Sequence, residues 1–276
     1  MGERDAEDHD GGLAGDLELI GAGLIERRRA LSWLGAVAGS AAPGIASLLF
    51  PRRARASGSC VADAPETAGP YPADGTNRSN GATSDVLTES GVVRKDVSSS
   101  FLTSTTRAKG VKVKLELTLV DTNAGCTPLS GYAVYLWHCD RDGHYSLYSA
   151  PDESYLRGVQ VSDDRGRLSF VTIFPACYPG RWPHVHLENF TSLAEATNGK
   201  KSFLTTQLAL PADICAEVYD NARGYSGSIA FFSAISLSTD PVFRDDTPAQ
   251  LAAMTPKMKG NIVDGYVARA TVGIAA

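Results

Sequence analysis

Apolar and polar residues alternate from residue 111 onward, and this alternation predicts the first strand of a folded domain. In VKVKLELTLVD, residues 111–121, the apolar positions are spaced by two: Val111, Val113, Leu115, Leu117 and Leu119. Successive side chains of a strand point to opposite faces, so a period of two indicates a strand with one buried face.

Further segments downstream carry strand patterns or helix starts. The predicted strands are YAVYLW (132–137), RLSFVTI (167–173), HVHLENF (184–190), FLTTQLAL (203–210) and GYVARATVGI (265–274). The predicted short helices are PADICAEVYDNA (211–222) and TPAQLAAMTPKMKG (247–260), which begin at Pro or Thr-Pro. Closely spaced strands with turn residues between them predict an all-β sandwich with short helical insertions over residues 111–276.

The chain before this domain divides into two segments. Residues 57–110 are rich in Gly, Ser, Thr, Asn and Asp, as in GPYPADGTNRSNGATSD, which predicts an extended N-terminal arm. Residues 1–56 are interpreted as an export signal, because Arg28 and Arg29 precede a weakly apolar run and Ala54-Arg55-Ala56 fits a small-x-small cleavage site.

Paired arginines before such a run are typical of twin-arginine signals. They predict the twin-arginine export machinery as a partner and a periplasmic, extracellular or cell-surface location. This route exports folded proteins and suits one that acquires a metal in the cytoplasm. A short membrane anchor is the alternative. Gly and Pro43 interrupt the apolar run, so no membrane span is expected in the mature protein.

Composition narrows the function classes. The 276 residues are 43% hydrophobic and 21% charged, as in a globular protein, and their formal net charge is -5. This acidic balance offers no basic face, so no nucleic-acid partner is expected.

The five cysteines are interpreted as structural. They are Cys60, Cys126, Cys139, Cys177 and Cys215. Two disulfides and one buried thiol would suit an exported protein, and the sequence leaves the pairing open. A nucleophilic role for Cys139 is not expected, because no base is evident beside it.

The stretch CYPGRWPHVHLENF, residues 177–190, carries the first candidate chemistry. His184 and His186 are two residues apart in a predicted strand, so their imidazoles point to one face and can bind one metal ion. A Pro-rich turn separates Tyr178 from them and lets it fold back over them.

A second tyrosine extends this set. WHCDRDGHYSLYS places Tyr145 on a loop that leaves the strand ending at Trp137. A free phenol titrates near pH ~10, so only a strong Lewis acid removes its proton at neutral pH. Two phenols and two imidazoles therefore favour ferric iron, whereas zinc more often draws Cys, His and carboxylate ligands.

Neighbouring residues are weaker candidates. His138 and His144 are expected outside the ligand set, since His144 adjoins Tyr145 and would point the opposite way in an extended chain. Three more tyrosines could line a pocket, with ordinary packing as the alternative: Tyr71, Tyr148 and Tyr155.

Three motifs carry a family resemblance. WHCDRDGHY resembles a Trp-to-Tyr segment, TIFPACYPGRWPHVH a T-I-x-P-x-x-Y-P…R-x-x-H-x-H signature, and ETAGPYP a T-x-G-P-Y motif ahead of the core. All three are similar to motifs of the intradiol ring-cleavage dioxygenases, the family of catechol and protocatechuate dioxygenases. The resemblance covers about residues 60–275, and the middle signature is highly specific.

The resemblance implies a non-haem Fe(III) cofactor with four protein ligands. These would be Tyr145 and His184 in equatorial positions, and Tyr178 and His186 in axial ones. Arg181 matches the family's active-site arginine, and Gln207 falls where the family has a glutamine beside that arginine.

The implied reaction uses O2 to cleave a catechol between its hydroxyl-bearing carbons, and it gives a muconic-type diacid. Ferric iron, two phenolates and one hydroxide sum to zero charge, which a protein interior tolerates. By analogy, Tyr178 would be the phenolate released when catechol binds, and Arg181 would stabilise the anionic ring. The sequence leaves open which catechol is the substrate.

Two features depart from the family pattern. The segment between Tyr178 and Arg181 is shorter than in the protocatechuate enzymes, which removes one wall of their pocket. The N-terminal helical region on which cytoplasmic catechol dioxygenases dimerise has no counterpart, so dimerisation by that route is not expected.

Two other interpretations fit parts of the chain. LVD…PLSGYAVYLW…GRLSFVTIFPACYPG resembles the prealbumin-like sandwiches used as spacers in surface proteins. A prealbumin-like β-sandwich core is therefore expected, and a non-catalytic binding or adhesion module is the alternative function. A cupin-like Fe(II) oxygenase would need a further His and Glu at cupin spacing, for which Glu188 is only a chance candidate.

Overall fold

The computed structural model describes residues 60–276, so the interpretation of residues 1–56 as an export signal lies outside the described part of the chain. Within the described residues, nine strands form two sheets: β1 (Lys112–Asp121), β2 (Thr127–Pro128), β3 (Ala133–Trp137), β4 (Arg157–Val161), β5 (Arg167–Ile173), β6 (His184–Phe190), β7 (Leu204–Ala209), β8 (Lys257–Asn261) and β9 (Gly265–Ile274). The sheets and the few short helices confirm the predicted all-β sandwich.

The first sheet is built around β1. Strands β2 and β5 pair with β1 antiparallel, β9 pairs with it parallel, and β8 pairs with β9. Burial alternates along β1, as its sequence predicts. Its apolar residues Leu115 and Leu117 join the core, and burying each such side chain stabilises the fold by about 2 kcal/mol.

The second sheet has the order β4-β3-β6-β7, and its two central strands are buried on both faces. Leu136 and Leu187 point inward to the sandwich core. Tyr135 and Trp137 point outward and join a separate apolar cluster, which the arm and the β3–β4 loop cover. A side chain on this outer face can therefore be polar and still lie out of water.

Four short helices complete the described chain: α1 (Leu193–Thr197), α2 (Ala212–Asn221), α3 (Ser228–Ala234) and α4 (Pro248–Met254), with 3-10 turns at Val86–Thr88 and Phe243–Asp245. Among residues 60–276, no helix is long and apolar enough to cross a membrane.

Helix α4 begins where its sequence predicts and ends earlier. Thr247 accepts a hydrogen bond from the backbone N–H of Gln250, whose side chain accepts one from the Thr247 N–H, which is a capping box. The predicted helix over 247–260 is wrong in its second half, because β8 starts at Lys257. Pro256 disfavours a helical conformation at the residue before it, which explains the stop.

Residues 60–110 form an irregular arm that covers open sheet edges. The backbone of Val92 bonds to Val159 at the edge strand β4, and Val97 bonds to Val171 at β5. Glu66 donates from its backbone to the carbonyl of Thr205 at the other edge of the second sheet. Covering these edges removes unpaired backbone groups that would otherwise invite pairing with another chain.

The cysteines correct one expectation from the sequence. Within the described residues, Cys60 and Cys126 form one disulfide, instead of the two that were expected, and it ties the start of the arm to the β1–β2 turn. The other cysteines are buried as free thiols: Cys139, Cys177 and Cys215. Burial raises the pKa of each of these thiols, which keeps them protonated.

Asp63 is expected to make stability depend on pH. It receives a hydrogen bond from the Gly273 N–H, but burial and the nearby charge of Asp246 raise its pKa to about 7. A raised carboxyl pKa favours the protonated folded state, so stability is lost as pH rises from about 4 to 7. We expect Asp63→Asn to raise the melting temperature, and to do so more at pH 8 than at pH 4.5, in thermal melts.

The matched control for this prediction is Asp164→Asn, which removes a carboxylate from an exposed turn. We expect no pH-dependent gain from it. An Asp63→Asn variant that is equally stabilised, or destabilised, at both pH values would contradict the assignment.

Candidate metal centre

Strand β6 supplies both histidines from the outer face of the second sheet. His184 and His186 alternate with the inward-pointing Val185 and Leu187. His186 lies opposite Trp137 of β3 and Gln207 of β7 in the strand register, so these three side chains share the outer face. The predicted i, i+2 relation therefore holds in the structure.

Two loops bring the tyrosines to this face. Tyr178 lies in the β5–β6 connection, and Tyr145 lies in the loop after β3. The Tyr145 hydroxyl lies 3.3 Å from the Tyr178 hydroxyl, 3.4 Å from His184 Nε2 and 3.5 Å from His186 Nε2. The Tyr178 hydroxyl lies 3.2 Å from His184 Nε2, and the two Nε2 atoms are 3.1 Å apart. Residues far apart in sequence thus place two oxygens and two nitrogens together.

The tautomer of His184 is fixed by its surroundings. Its Nδ1 lies 2.5 Å from the carbonyl oxygen of Trp182, which can only accept, so Nδ1 carries the proton. Nε2 therefore presents a lone pair to the cluster. Burial, followed by the charge of Arg181, holds the pKa of His184 well below its usual value, so the ring is neutral.

His186 is held by stacking. Its ring lies parallel to the Trp137 indole, with centroids 4.6 Å apart, and within residues 60–276 its buried Nδ1 has no hydrogen-bond partner. Burial and the neighbouring His184 hold its pKa well below the usual value, so it too is neutral. A neutral imidazole has one N–H, so the lone pair of His186 is either left unpaired at Nδ1 or faces that of His184.

The four side chains present their oxygens and Nε2 atoms to one another at 3.1–3.5 Å, and a cation among them would take up the lone pairs that face one another. Burial, then the neighbouring Tyr178, raises the pKa of Tyr145 well above its usual value, so without added positive charge it stays a phenol. Donors around one metal ion at about 2 Å lie roughly 3 Å apart, as these atoms do. Phenol oxygens are hard ligands, so the set fits ferric iron. In the described residues, no group of three or more His, Cys, Asp or Glu side chains could hold a metal ion.

Arg181 and Gln207 lie together beside the cluster. The Arg181 guanidinium donates from an Nη to Gln207 Oε1 at 2.7 Å, and the Gln207 amide donates to the carbonyl of Thr67 in the arm at 2.8 Å. Arg181 also donates from Nε to the buried carboxylate of Asp240 at 3.1 Å. Its charge lowers the pKa of both histidines, which places it within electrostatic reach of the donors.

The weaker histidine candidates lie outside the cluster. Nδ1 of His138 donates to the carbonyl of Cys139, and its Nε2 accepts from the hydroxyl of Thr172, each at 2.7 Å. Burial lowers the pKa of His138 to about 4. The side chain of His144 is more than half exposed and lies near Asp140.

The remaining tyrosines and the glutamate have other partners. Tyr148 bonds to Asn77, and Tyr155 bonds to Asp140. Glu188 shares a hydrogen bond with Asp74, so it has a partner away from the donors. Only Tyr71 touches the site, because its ring lies 4.7 Å from that of Tyr145.

Two site residues were missed by sequence reasoning. Asp240 holds Arg181 across 59 positions, and Arg157 supports the loop of Tyr145 through Ser146. A lone Asp before a Pro and a lone Arg in a strand carry no pattern that links them to a distant site. Gly69, beside His186, has a positive φ of 68°, a backbone conformation that favours glycine.

Comparison with known sequences finds a family match over the segment that contains this site. Residues 99–187, which include both tyrosines and both histidines, match the family model described as Dioxygenase. A chlorocatechol 1,2-dioxygenase from Rhodococcus opacus is 39% identical over 54 residues, which are 19% of this chain and 21% of that protein. The chain thus spans about a fifth of the length of this curated relative.

Comparison with solved structures shows the same fold elsewhere. The intradiol ring-cleavage dioxygenase from Tetranychus urticae matches with a TM-score of 0.59 and 21% identity. The match covers 78% of this chain and 95% of that one. At this identity the likeness establishes the fold and nothing finer.

Proposed function

We propose that the chain, whose residues 99–187 match the dioxygenase family model, is a member of the intradiol ring-cleavage dioxygenases and acts as a non-haem Fe(III) enzyme. Its substrates would be catechol-type aromatic compounds and O2, and its products muconic-type diacids. The observation that carries this proposal is the meeting of two phenol oxygens and two imidazole nitrogens in one buried cluster. A non-catalytic module would have no use for two phenols and two imidazoles that face one another in the interior, because burying polar groups is costly.

The four side chains would hold the iron through the atoms that already face one another. They are Tyr145, Tyr178, His184 and His186. Ferric iron bound there would supply the Lewis acidity that draws electron density from a catecholate and makes its ring open to attack by O2. The hydrogen bond from His184 Nδ1 to Trp182 fixes one ring, and the stack on Trp137 fixes the other, so both nitrogens are oriented in advance.

The remaining residues of the site would bind and orient the substrate. Tyr178 is less buried than Tyr145, and of the two it is the phenolate better placed to take up a catechol proton. Arg181 would stabilise the negative charge that develops on the ring. Gln207 would hold Arg181 at the correct position by accepting its hydrogen bond. Tyr71, whose ring packs at a tilt against that of Tyr145, would line the substrate pocket.

The first test is the colour and turnover of purified protein supplied with ferric iron. Phenolate coordination should give a visible charge-transfer band and a red or burgundy protein. Assays with catechol, protocatechuate, hydroxyquinol and caffeate should then show that one O2 molecule is consumed per ring cleaved. The product should have the absorption spectrum of a muconic-type diacid. Products made under ¹⁸O2 should carry both labelled atoms. Iron-replete protein that is colourless and consumes no oxygen with any of these substrates would contradict the proposal.

We further propose that the enzyme acts outside the cytoplasm. The proposal is supported by the paired arginines of its leader and by the Cys60–Cys126 disulfide, a bond typical of oxidising compartments. Changing Arg28 and Arg29 to Lys should retain the protein in the cytoplasm, as measured by cell fractionation. Unchanged export of that variant would argue against the twin-arginine route.

A further inference from the structure

A buried aspartate outside the family-matched region holds the guanidinium beside the donor cluster. Asp240 lies between α3 and the 3-10 turn Phe243–Asp245, and its side chain is fully buried. Burying a carboxylate is costly unless it is paired and hydrogen-bonded, and Asp240 is both. Its ion pair with Arg181, whose side chain is only 2% exposed, is closed to water on both sides.

The two carboxylate oxygens of Asp240 have separate tasks. Oδ1 accepts from the backbone N–H groups of Val242 and Phe243, at 2.8 and 3.0 Å, and so caps the 3-10 turn. Oδ2 accepts from Arg181 Nε at 3.1 Å and from the Trp182 N–H at 2.6 Å. One oxygen therefore secures the local fold, and the other faces the site.

Together with Gln207, Asp240 leaves Arg181 little freedom. Asp240 fixes Nε, Gln207 fixes an Nη, and Gln207 is itself fixed by the carbonyl of Thr67. The carbonyl of Trp182, whose N–H is bound to the same oxygen of Asp240, also fixes the tautomer of His184. One carboxylate thus sets both the arginine and the backbone next to a donor histidine.

We propose that Asp240 is a positioning residue for the ring-cleavage reaction, which acts by orienting Arg181 toward the bound catechol. This inference rests on the proposed function. It adds a residue that lies beyond residues 99–187 and that touches neither the substrate nor the donor atoms.

Asp240→Asn separates the two tasks of the carboxylate. The amide oxygen can keep the cap on Val242 and Phe243, while the NH2 group would face the Arg181 Nε–H and the Trp182 N–H, donor against donor. We expect kcat with catechol to fall ~10- to 100-fold, because a catalytic group displaced by about 1 Å loses that much. Anaerobic catechol affinity, measured by titrating the visible band of the iron-loaded protein, should change much less.

A double-mutant cycle tests whether the effect passes through the arginine. In the Arg181→Met background, Asp240→Asn should lower kcat less than twofold, since no guanidinium remains to be oriented. If Asp240→Asn lowers kcat by the same factor with and without Arg181, or leaves the wild-type kcat unchanged, the proposal is wrong.

The matched control is Asp85→Asn. Asp85 caps the other 3-10 turn, Val86–Thr88, by accepting from the Leu87 N–H, and it does not touch Arg181. Iron content and melting temperature of all variants reveal simple unfolding. A wild-type protein without colour or turnover would refute the proposed function, whereas an active wild type with an unaffected Asp240→Asn variant would refute this inference alone.

Discussion

Tyr145→Phe is expected to leave the fold intact, to remove or shift the phenolate-to-iron absorption and to lower catechol turnover about 10³-fold. The Tyr145 hydroxyl contacts each of the other three donors, Tyr178, His184 and His186, whereas its ring packs on Tyr71. Phenylalanine keeps the ring contact and deletes the oxygen alone. Visible spectra, iron content and steady-state oxygen uptake measure the outcome.

Tyr148→Phe is the matched control. Tyr148 is also buried and lies against the same Tyr71 ring, at 5.2 Å, but its hydroxyl bonds to Ala73 and Asn77 of the arm. It should keep its colour and stay within a few-fold of wild-type turnover. Equal spectra and equal rates for the two variants would show that the Tyr145 oxygen is not a ligand.

Strands with one clear period were predictable from the sequence. Three of them have the predicted bounds: β5 (Arg167–Ile173), β6 (His184–Phe190) and β9 (Gly265–Ile274). In β1 the alternation of burial follows the alternation of side chains from Lys112 to Leu119. The burial of one face stabilises these strands, and the local alternation of apolar and polar residues shows which face is buried.

Elements set by distant contacts were not predictable in this way. Strand β4, RGVQV, carries Arg157 and Gly158 at its start, and neither favours a strand. Its place depends on pairing with β3 and on the arm residue Arg94, whose side chain bonds to the Arg157 carbonyl. Strand β8, KMKGN, is largely exposed and exists because β9 offers an edge.

The site residues likewise divide into those predicted by local motifs and those set by distant contacts. The sequence predicted the two tyrosines and two histidines that lie together here from residue types at fixed spacing in two motifs, and it pointed to Arg181 through the family resemblance. Asp240 was missed, since an aspartate can orient an arginine from any sequence distance. The number of disulfides was overestimated, because cysteine count says nothing about whether a buried thiol such as Cys215 lies within reach of a partner.

The arm also contacts the site directly, which its composition did not predict. The Thr67 carbonyl accepts from Gln207, Gly69 gives the chain its positive φ beside His186, and Tyr71 packs against Tyr145. A segment rich in turn residues can support the site, because it acts through backbone carbonyls and through its packing against site residues rather than through regular secondary structure. The buried guanidinium of Arg157 helps to hold this segment, because it donates to the carbonyls of Tyr71 and Pro72.

Arg157→Met is expected to lower the free energy of unfolding by about 3–5 kcal/mol. Arg157 is 1% exposed, and it donates hydrogen bonds to neutral acceptors: the carbonyls of Tyr71, Pro72 and Ser146, and the hydroxyls of Ser146 and Tyr135. Methionine fills similar space but removes five hydrogen bonds from the interior, and the Pro72 carbonyl keeps only the one from the Tyr135 hydroxyl. Urea unfolding of the metal-free protein measures the loss.

Arg269→Met is the control that separates this buried clamp from an ordinary ion pair. Arg269 contacts Glu116 at 2.8 Å on an exposed face, and losing such a pair costs less than about 1 kcal/mol. Arg157→Lys should fall between the two, because an ammonium keeps the charge but cannot reach acceptors on the arm, on β3 and on the Tyr145 loop at once. Iron retention should weaken in the order of stability loss, since Ser146 adjoins Tyr145. If Arg157→Met cost no more than Arg269→Met, the disulfide and the backbone contacts to the sheet edges would be enough to hold the arm.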